Sequence, residues 1–234
     1  PIYPNVIGFQ LDNETKHYNT CGPNVQKRFV AYLREKFGTV EALNAAFGFN
    51  YWSNRIDCWE NVPDVTGTIN WSFAAEFSKF QRTLVDEYLA WQAAIVREYA
   101  RADQFITQNF DYEWRGYSYG VQPDVNHKTA ARCLMVAGCD IYHPTQDKLT
   151  GKEIAVCGAL CRSLKNDNYL VLESQAQGHV NWTPYEGQMR LHAFSHVASG
   201  ANSVMYWHWH SIHNSFETYW KGLLSHDLQR SEEH

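Results

Sequence analysis

The sequence predicts an α/β fold in which parallel strands alternate with helices. Helical patterns and short apolar runs alternate from one end of the chain to the other. The runs are continuously apolar, which is typical of parallel strands covered by helices, whereas a half-exposed strand would alternate apolar and polar side chains. At 234 residues the chain is also long enough for one sizeable domain with a buried core. The pattern therefore favours strands packed beneath layers of helix.

Five predicted strands leave two architectures open. A (β/α)8 barrel has eight strands and typically about 250 residues. An open doubly wound sheet fits five strands, but it usually carries a Gly-rich first turn for a nucleotide, and this sequence has none. The strand count alone therefore does not choose between them.

Periodicity and capping residues define the predicted helices. Apolar residues recur at steps of three and four over residues 73–99, which predicts the longest helix. Another helix is predicted over residues 23–37, where Gly38 is a stop signal, and Thr39 is the expected N-cap of the next. Residues 48–70 have no clear period and are predicted to form a long ordered loop. Further helices are predicted in KTAARCLMVAG, KEIAVCGALCRSLK and QMRLHAFSHVASGA.

Polar residues follow each predicted strand. The strands are residues 6–11, QFITQNF, residues 140–142, YLVLE and NSVMYWHW. Because the carboxyl ends of parallel strands meet at one edge, these side chains are expected to converge on a common rim. An isolated acid at a strand end is most often a cap or a surface residue, but five such ends favour a functional site. The residues concerned are Asp12, Asn13, Glu14, Gln108, Asn109, Asp111, Asp140, Tyr142, Glu173, His208, Trp209, His210 and Glu217.

Glu14 and Glu173 are the strongest candidate pair on this rim. They follow the first and fourth predicted strands, so in a barrel three βα units would place them on opposite sides of the mouth. Two facing carboxyls are the minimum set for glycoside hydrolysis, in which one donates a proton and the other attacks the anomeric carbon or activates water. Asn13 offers a short amide suited to a sugar hydroxyl.

Composition narrows the expected partners. The net charge is −5 and no basic stripe is visible, so nucleic acid is not expected. No apolar run approaches the roughly 20 residues that span a bilayer, so no membrane partner is expected either. Aromatic residues make up 15% of the chain, which suits the binding of sugar rings.

Cysteine and histidine raise two metal-site hypotheses. The six cysteines form no C-x-x-C pair and are expected to be buried reduced thiols, which suits the cytoplasm. Cys157 and Cys161, four apart in a helical segment, are alternatively a metal half-site. His208 and His210 would share a face of the last strand and, with His213, make a histidine-based metallohydrolase the second alternative.

Longer motifs occur in a fixed order along the chain. DNE ends the first strand and is followed by RFVAYLREKFGTVEALNAAFGFNYWS, EFSKFQ, ITQNF, CDIYHP, YLVLESQAQGHVNW, SHVASGANSVMYWHWHS and FETYWKGLLSHD. Together they resemble glycoside hydrolase family 42, β-galactosidases with (β/α)8 barrels, over nearly the whole chain. The resemblance implies a partial TIM barrel: strands four to eight in one incomplete domain over residues 1–234, without the first three βα units and the downstream domains.

The resemblance also implies roles for the two glutamates. Glu14 would be the acid/base and Glu173 the nucleophile of a retaining glycosidase that cleaves terminal non-reducing β-D-galactosides through a covalent glycosyl-enzyme. The two carboxyls would lie about 5 Å apart. The resemblance implies no cofactor and a homotrimeric full-length protein. The chain alone is expected to be inactive and poorly soluble, because its first and last strands would lack their neighbours.

Two of the expected sugar contacts depart from the family pattern. His210 stands where the family often has Arg, and Trp220 where it often has His, so the resemblance does not imply strict galactose specificity. The alternatives are a glycosidase for a related glycone, such as α-L-arabinopyranoside, and a non-catalytic galactoside-binding barrel. Only Cys21 remains where some members hold zinc, so no metal is expected. The expected sugar-binding residues are Asn13, Asn109, Tyr142, Trp182, His210, Glu217 and Trp220.

Overall fold

The computed structural model describes residues 3–112, 121–142, 151–177 and 184–230. Its centre is a single sheet of five parallel strands whose spatial order follows the order of the chain. Adjacent parallel strands in chain order require a crossover between each pair, as in a barrel. The strands are β1 (Gly8–Asn13), β2 (Phe105–Asp111), β3 (Gly138–Asp140), β4 (Tyr169–Glu173) and β5 (Ala201–Val204).

Helices occupy most of the crossovers. They are α1 (Pro23–Phe37), α2 (Val40–Phe47), α3 (Trp71–Tyr99), α4 (His127–Ala130), α5 (Lys152–Lys165) and α6 (Gln188–Ala198). Short 3-10 turns cover Tyr51–Ser53, Trp59–Asn61 and Ala131–Cys133. No helix among the described residues is long and apolar enough to cross a membrane.

Local sequence signals explain the helix ends. α1 starts at Pro23, whose missing N–H is no loss in a first turn, and stops at Gly38, where φ is 73°. The Thr39 hydroxyl caps α2 by accepting a hydrogen bond from the Ala42 N–H at 3.2 Å. The Asn70 side chain does the same for α3, accepting from the Phe73 N–H at 3.0 Å. The predictions for α1, α2 and α3 are confirmed.

The described chain divides into two compact units. One comprises Lys16–Glu87 and is built on an aromatic core, in which Phe29 packs its ring against Phe73 at 5.5 Å and against Phe77 at 5.0 Å between centroids. The other comprises Pro1–Thr15 with Tyr88–His234 and contains the sheet. Its buried residues include Ile106, Phe110, Cys139, Tyr169 and Val171.

Two element predictions are wrong in the central part of the chain. The strand expected at residues 140–142 is β3, which starts at Gly138. A Cβ at Gly138 would lie 2.5 Å from Leu172 Cδ1 and 2.7 Å from the Gln108 carbonyl oxygen, so only glycine permits the strands to approach there. The helix expected in KTAARCLMVAG is limited to α4 and one 3-10 turn.

The last strand is also shorter than predicted. β5 ends at Val204, and its pairing with β4 shifts register near its start. Beyond Val204 an isolated bridge pairs Gln175 with Trp207. His208 and His210 therefore do not lie on a strand, and the argument that they share a strand face is wrong.

Candidate active site

A cavity of about 430 Å³ lies at the carboxyl ends of the strands. Six of the predicted site residues line it, together with two aromatic residues that sequence reasoning did not single out. Those two, Trp207 and Tyr219, lie in the irregular chain that follows β5, where no period signals which side chains face inward. The lining residues are Asn13, Glu14, Tyr142, Glu173, Trp207, Glu217, Tyr219 and Trp220.

A larger cavity, of about 900 Å³, lies within the Lys16–Glu87 unit. Its lining contains the exposed rings of Tyr51 and Trp52 but only one acid, Asp64. It therefore lacks the paired carboxyls that acid/base chemistry on a sugar needs.

Three carboxyl groups meet beneath the smaller cavity. Glu14, Asp140 and Glu173 each contribute an oxygen, and these three oxygens lie within 4.8 Å of one another. Glu14 follows β1, Asp140 ends β3 and Glu173 ends β4, so the parallel sheet brings residues far apart in sequence to one edge. The spacing of Glu14 and Glu173 suits a pair in which one carboxyl protonates a leaving group while the other attacks from the opposite side.

The backbone holds Glu14 in an uncommon conformation. Its φ of 44° lies in the left-handed region, which non-glycine residues rarely adopt. The Glu14 N–H donates a hydrogen bond to Asn109 Oδ1 at 3.1 Å. The register between β1 and β2 shifts between Gln10 and Asn13, just before this point. This irregularity turns the chain out of the strand so that Glu14 reaches the cavity.

Hydrogen bonds orient the carboxylate of Glu173. Its Oε2 accepts from the Tyr142 hydroxyl at 2.7 Å and its Oε1 accepts from Asn109 Nδ2 at 3.3 Å. The pKa of Glu173 is raised, chiefly because the carboxyl group is buried and also because the negative charge of Glu217 is near. The hydrogen bonds from Tyr142 and Asn109 act in the opposite direction and lower this pKa. The two donors hold both oxygens, so the group presents a fixed face to the cavity.

Asp140 lies between the two glutamates and is almost completely buried, with 2% of its surface exposed. Burial, together with the negative charges of Glu173 and Glu14, raises the pKa of Asp140 to about 9. At neutral pH Asp140 therefore carries a proton, and the site avoids a further negative charge beside Glu173. Its place at a strand end was visible in the sequence, but its position between two acids depends on the sheet.

The aromatic part of the cavity includes Trp220, which is 7% exposed. Its ring centroid lies 5.0 Å from that of Tyr142 and 5.9 Å from that of Tyr219. Flat apolar rings beside polar acids are suited to the two kinds of surface of a sugar ring.

Two predicted sugar contacts among the described residues do not line this cavity. Asn109 is fully buried beneath it, with hydrogen bonds to both ends of its side-chain amide. His210 is exposed, and its Nδ1 lies 2.9 Å from the Ser211 carbonyl oxygen. Trp182 lies outside the described residues.

The described histidines and cysteines do not assemble a cluster of three metal ligands. Over the described ranges, only Glu14, Asp140 and Glu173 bring three ligand atoms that close together. The six cysteines are free, and Cys157 and Cys161 are buried. Cys157 Sγ contacts Cys139 Sγ at 3.4 Å. The prediction of buried thiols is confirmed for Cys139, Cys157 and Cys161, but it is wrong for Cys21, which is exposed, and for Cys58 and Cys133, which are partly exposed.

The family model of glycoside hydrolase family 42, described as beta-galactosidase, matches residues 3–234. The chain belongs to glycoside hydrolase family 42. This match confirms the resemblance drawn from the motifs.

Known beta-galactosidases match nearly the whole chain. It is 28% identical, over 94% of its length, to beta-galactosidase BgaA of Clostridium cellulovorans. The structure of a polyextremophilic beta-galactosidase from the haloarchaeon Halorubrum lacusprofundi superposes with a TM-score of 0.85 at 26% identity, over 98% of this chain and 37% of that one. The beta-galactosidase of the psychrophilic Marinomonas ef1 gives 0.85 at 27% identity, over 99% and 38%. The chain spans about a third of the length of its curated relatives, 34% in the case of BgaA.

Proposed function

We propose that the protein containing this chain is a retaining glycoside hydrolase that removes terminal β-D-galactosyl residues. The observation that supports this most strongly is the placement of Glu14 and Glu173 oxygens within 4.8 Å of each other at the floor of a family 42 cavity. Retaining enzymes hold their two carboxyl groups about 5 Å apart, whereas inverting enzymes leave more room for a water molecule.

In the first step, the Glu14 carboxylic acid gives its proton to the glycosidic oxygen while the Glu173 carboxylate attacks the anomeric carbon. The bond to the leaving alcohol breaks and an ester forms between the sugar and Glu173. In the second step, the Glu14 carboxylate takes a proton from water, and the water oxygen displaces Glu173 from the sugar. Two displacements restore the original anomeric configuration.

The residues around the pair would support these steps. Tyr142 and Asn109 stabilise the charged form of Glu173 in the resting site through their hydrogen bonds. Asn13 Oδ1 accepts from Asn109 Nδ2 at 3.0 Å, which orients the Asn13 amide so that its own N–H group can be offered to a sugar hydroxyl. Glu217 would accept from other sugar hydroxyls, and Trp220 would stack on an apolar sugar face.

The rest of a barrel would complete the site. Among the described strands, β1 and β5 each pair with one neighbour, and both therefore present an open edge. We propose that this chain supplies strands four to eight of the barrel and that further strands of the protein close it. We also propose that the whole protein forms a homotrimer, as the family resemblance implies, and sedimentation velocity would test this. A reducing, cytoplasmic compartment is supported by the free thiols.

Variants of the two glutamates in the full-length protein test this proposal. Glu173→Gln should abolish hydrolysis of a nitrophenyl β-galactoside, and azide should rescue Glu173→Gly as a glycosyl azide of inverted configuration. Glu186→Gln, the same change at an exposed position outside the cavity, is the matched control. Near-normal rates for Glu173→Gln would contradict the nucleophile assignment.

A panel of nitrophenyl glycosides tests the glycone. We expect β-D-galactoside to give the highest kcat/KM. α-L-arabinopyranoside and β-D-fucoside present most of the same ring contacts and should follow. A higher kcat/KM for the arabinopyranoside would reassign the substrate. Calorimetric binding of galactosides without any turnover would instead support a non-catalytic sugar-binding protein.

A further inference from the structure

The side-chain amide of Asn109 connects the two glutamates. Its Oδ1 accepts hydrogen bonds from the Glu14 N–H at 3.1 Å and from Gln10 Nε2 at 2.9 Å. Its Nδ2 faces the other way, and its two N–H groups are shared among three acceptors: Asp140 Oδ2 at 2.5 Å, Asn13 Oδ1 at 3.0 Å and Glu173 Oε1 at 3.3 Å. One buried amide therefore touches the segment that carries the acid/base and the side chain that acts as nucleophile.

The function of this amide depends on which way round it lies. If it were rotated by half a turn, its NH2 group would face the Glu14 N–H, donor against donor, and its oxygen would face Glu173, acceptor against acceptor. The site would lose a hydrogen bond at each glutamate. A hydrogen-bond acceptor placed against the NH2 group of Asn109 therefore favours the orientation in which the amide serves both glutamates.

Asp140 Oδ2 is the nearest of the three acceptors at that end of the amide. Its hydrogen bond with Asn109 is the shortest of those that the amide makes, and both residues are buried. Its second oxygen, Oδ1, is buried and has no hydrogen-bond partner in the described part of the chain. A proton on Oδ1 leaves Oδ2 as a carbonyl-type acceptor, which is the role the geometry requires.

Asp140 also has a reason to be neutral, because it is surrounded by ionisable groups from several elements. The proton that its raised pKa retains removes the repulsion between Asp140 and Glu173, and that between Asp140 and Glu14 whenever Glu14 is ionised. The groups that face it are Glu14, Asp111, Tyr142, Cys157 and Glu173.

We propose that Asp140 is a positioning residue of this glycosidase site, which as a neutral acid fixes the Asn109 amide and, through it, the Glu14 backbone and the Glu173 carboxylate. The proposal rests on the proposed function, since it assigns the two glutamates their roles. It adds a residue that contacts neither the sugar nor the scissile bond.

Two substitutions at one position separate this role from the alternatives. Asp140→Asn keeps a carbonyl acceptor for Asn109 Nδ2 and has no charge, so its kcat should stay within about fivefold of the parent protein. Asp140→Leu has similar size but no acceptor, and its kcat should fall on the order of 10²-fold with little change in KM, as expected when a catalytic group is misplaced. The assay is nitrophenyl galactoside hydrolysis by the full-length protein.

A second experiment shows that Asp140 acts through Asn109. In an Asn109→Ala background, Asp140→Leu should cost less than threefold, because there is no amide left to orient. Equal losses in both backgrounds would overturn the proposal. A loss for Asp140→Asn as large as that for Asp140→Leu would also overturn it, because an ionised carboxylate would then be the active form.

The proposed function and this inference fail in different ways. Activity that survives Glu173→Gln contradicts the nucleophile assignment whatever Asp140 does. A parent-like kcat for Asp140→Leu, beside an inactive Glu173→Gln, overturns only the positioning role. Thermal unfolding of Asp140→Leu, measured by circular dichroism with the same assay buffer, ensures that kcat is compared between folded proteins.

Discussion

The Tyr142→Phe substitution should move the acidic limb of the pH–activity profile to higher pH. The Tyr142 hydroxyl donates to Glu173 Oε2 at 2.7 Å and stabilises the ionised carboxylate over the protonated one. Removing the hydroxyl therefore raises the pKa of Glu173 beyond the increase that burial already causes. In the proposed mechanism Glu173 must be ionised to attack, so activity is present above this pKa and is lost as the pH falls through it.

The hydrogen-bond network gives the size of the shift. A hydrogen bond to a charged group contributes about 1.5–3 kcal/mol. One pKa unit corresponds to about 1.4 kcal/mol, so complete loss of the bond would shift the pKa by about one to two units. Because the Asn109 hydrogen bond to Oε1 remains and water can reach the half-buried carboxylate, we expect the lower end, about one unit.

The assay is kcat/KM for a nitrophenyl galactoside, measured across the acidic range with the full-length protein. Tyr99→Phe, at the exposed end of α3 and outside the cavity lining, is the matched control and should leave the limb in place. If the acidic limb of the Tyr142→Phe variant stays at the same pH as in the parent protein, or moves to lower pH, this hydroxyl does not stabilise ionised Glu173.

Three further predictions concern the site, the core and the sheet edges. Glu217→Gln removes a negative charge that raises the pKa of Glu173, so the acidic limb should move to lower pH while KM rises; a limb that moves upward would contradict this. Phe73→Ala, in the core of the Lys16–Glu87 unit, should lower the free energy of unfolding by about 3–5 kcal/mol in urea titrations, whereas Trp71→Ala, at 84% exposure, should cost far less; equal losses would refute the core assignment. The 234-residue chain expressed alone should aggregate and show no hydrolysis, because β1 and β5 have open edges in the described sheet; rates near those of the full-length protein would disprove this.

Signals confined to short stretches of sequence predicted most of the helices. Pro23 and Gly38 bracket α1, Thr39 caps α2, and the three- and four-residue spacing of apolar residues defines α3. Such signals act within one or two turns, so no knowledge of the fold is needed to find them. The start of β3 depends instead on the close approach of two neighbouring strands at Gly138, which only the assembled sheet shows.

The site was predicted in part for the same reason. Glu14 and Glu173 could be paired because strand order in a parallel fold determines which strand ends share a rim. Asn109 was expected to touch sugar, yet it lies fully buried below the carboxyls. Asp140 and Trp207 gain their places from a short strand and an irregular segment, neither of which has a periodic signature.

The identity of the nucleophile can be tested directly by trapping the glycosyl-enzyme. A 2-deoxy-2-fluoro galactosyl fluoride slows the second displacement, so the sugar should accumulate as an ester on the full-length protein. Peptide mass spectrometry after proteolysis should then find the label on Glu173, in the peptide that contains YLVLE. A label on Glu14 or Asp140, or inactivation without any covalent label, would contradict the account.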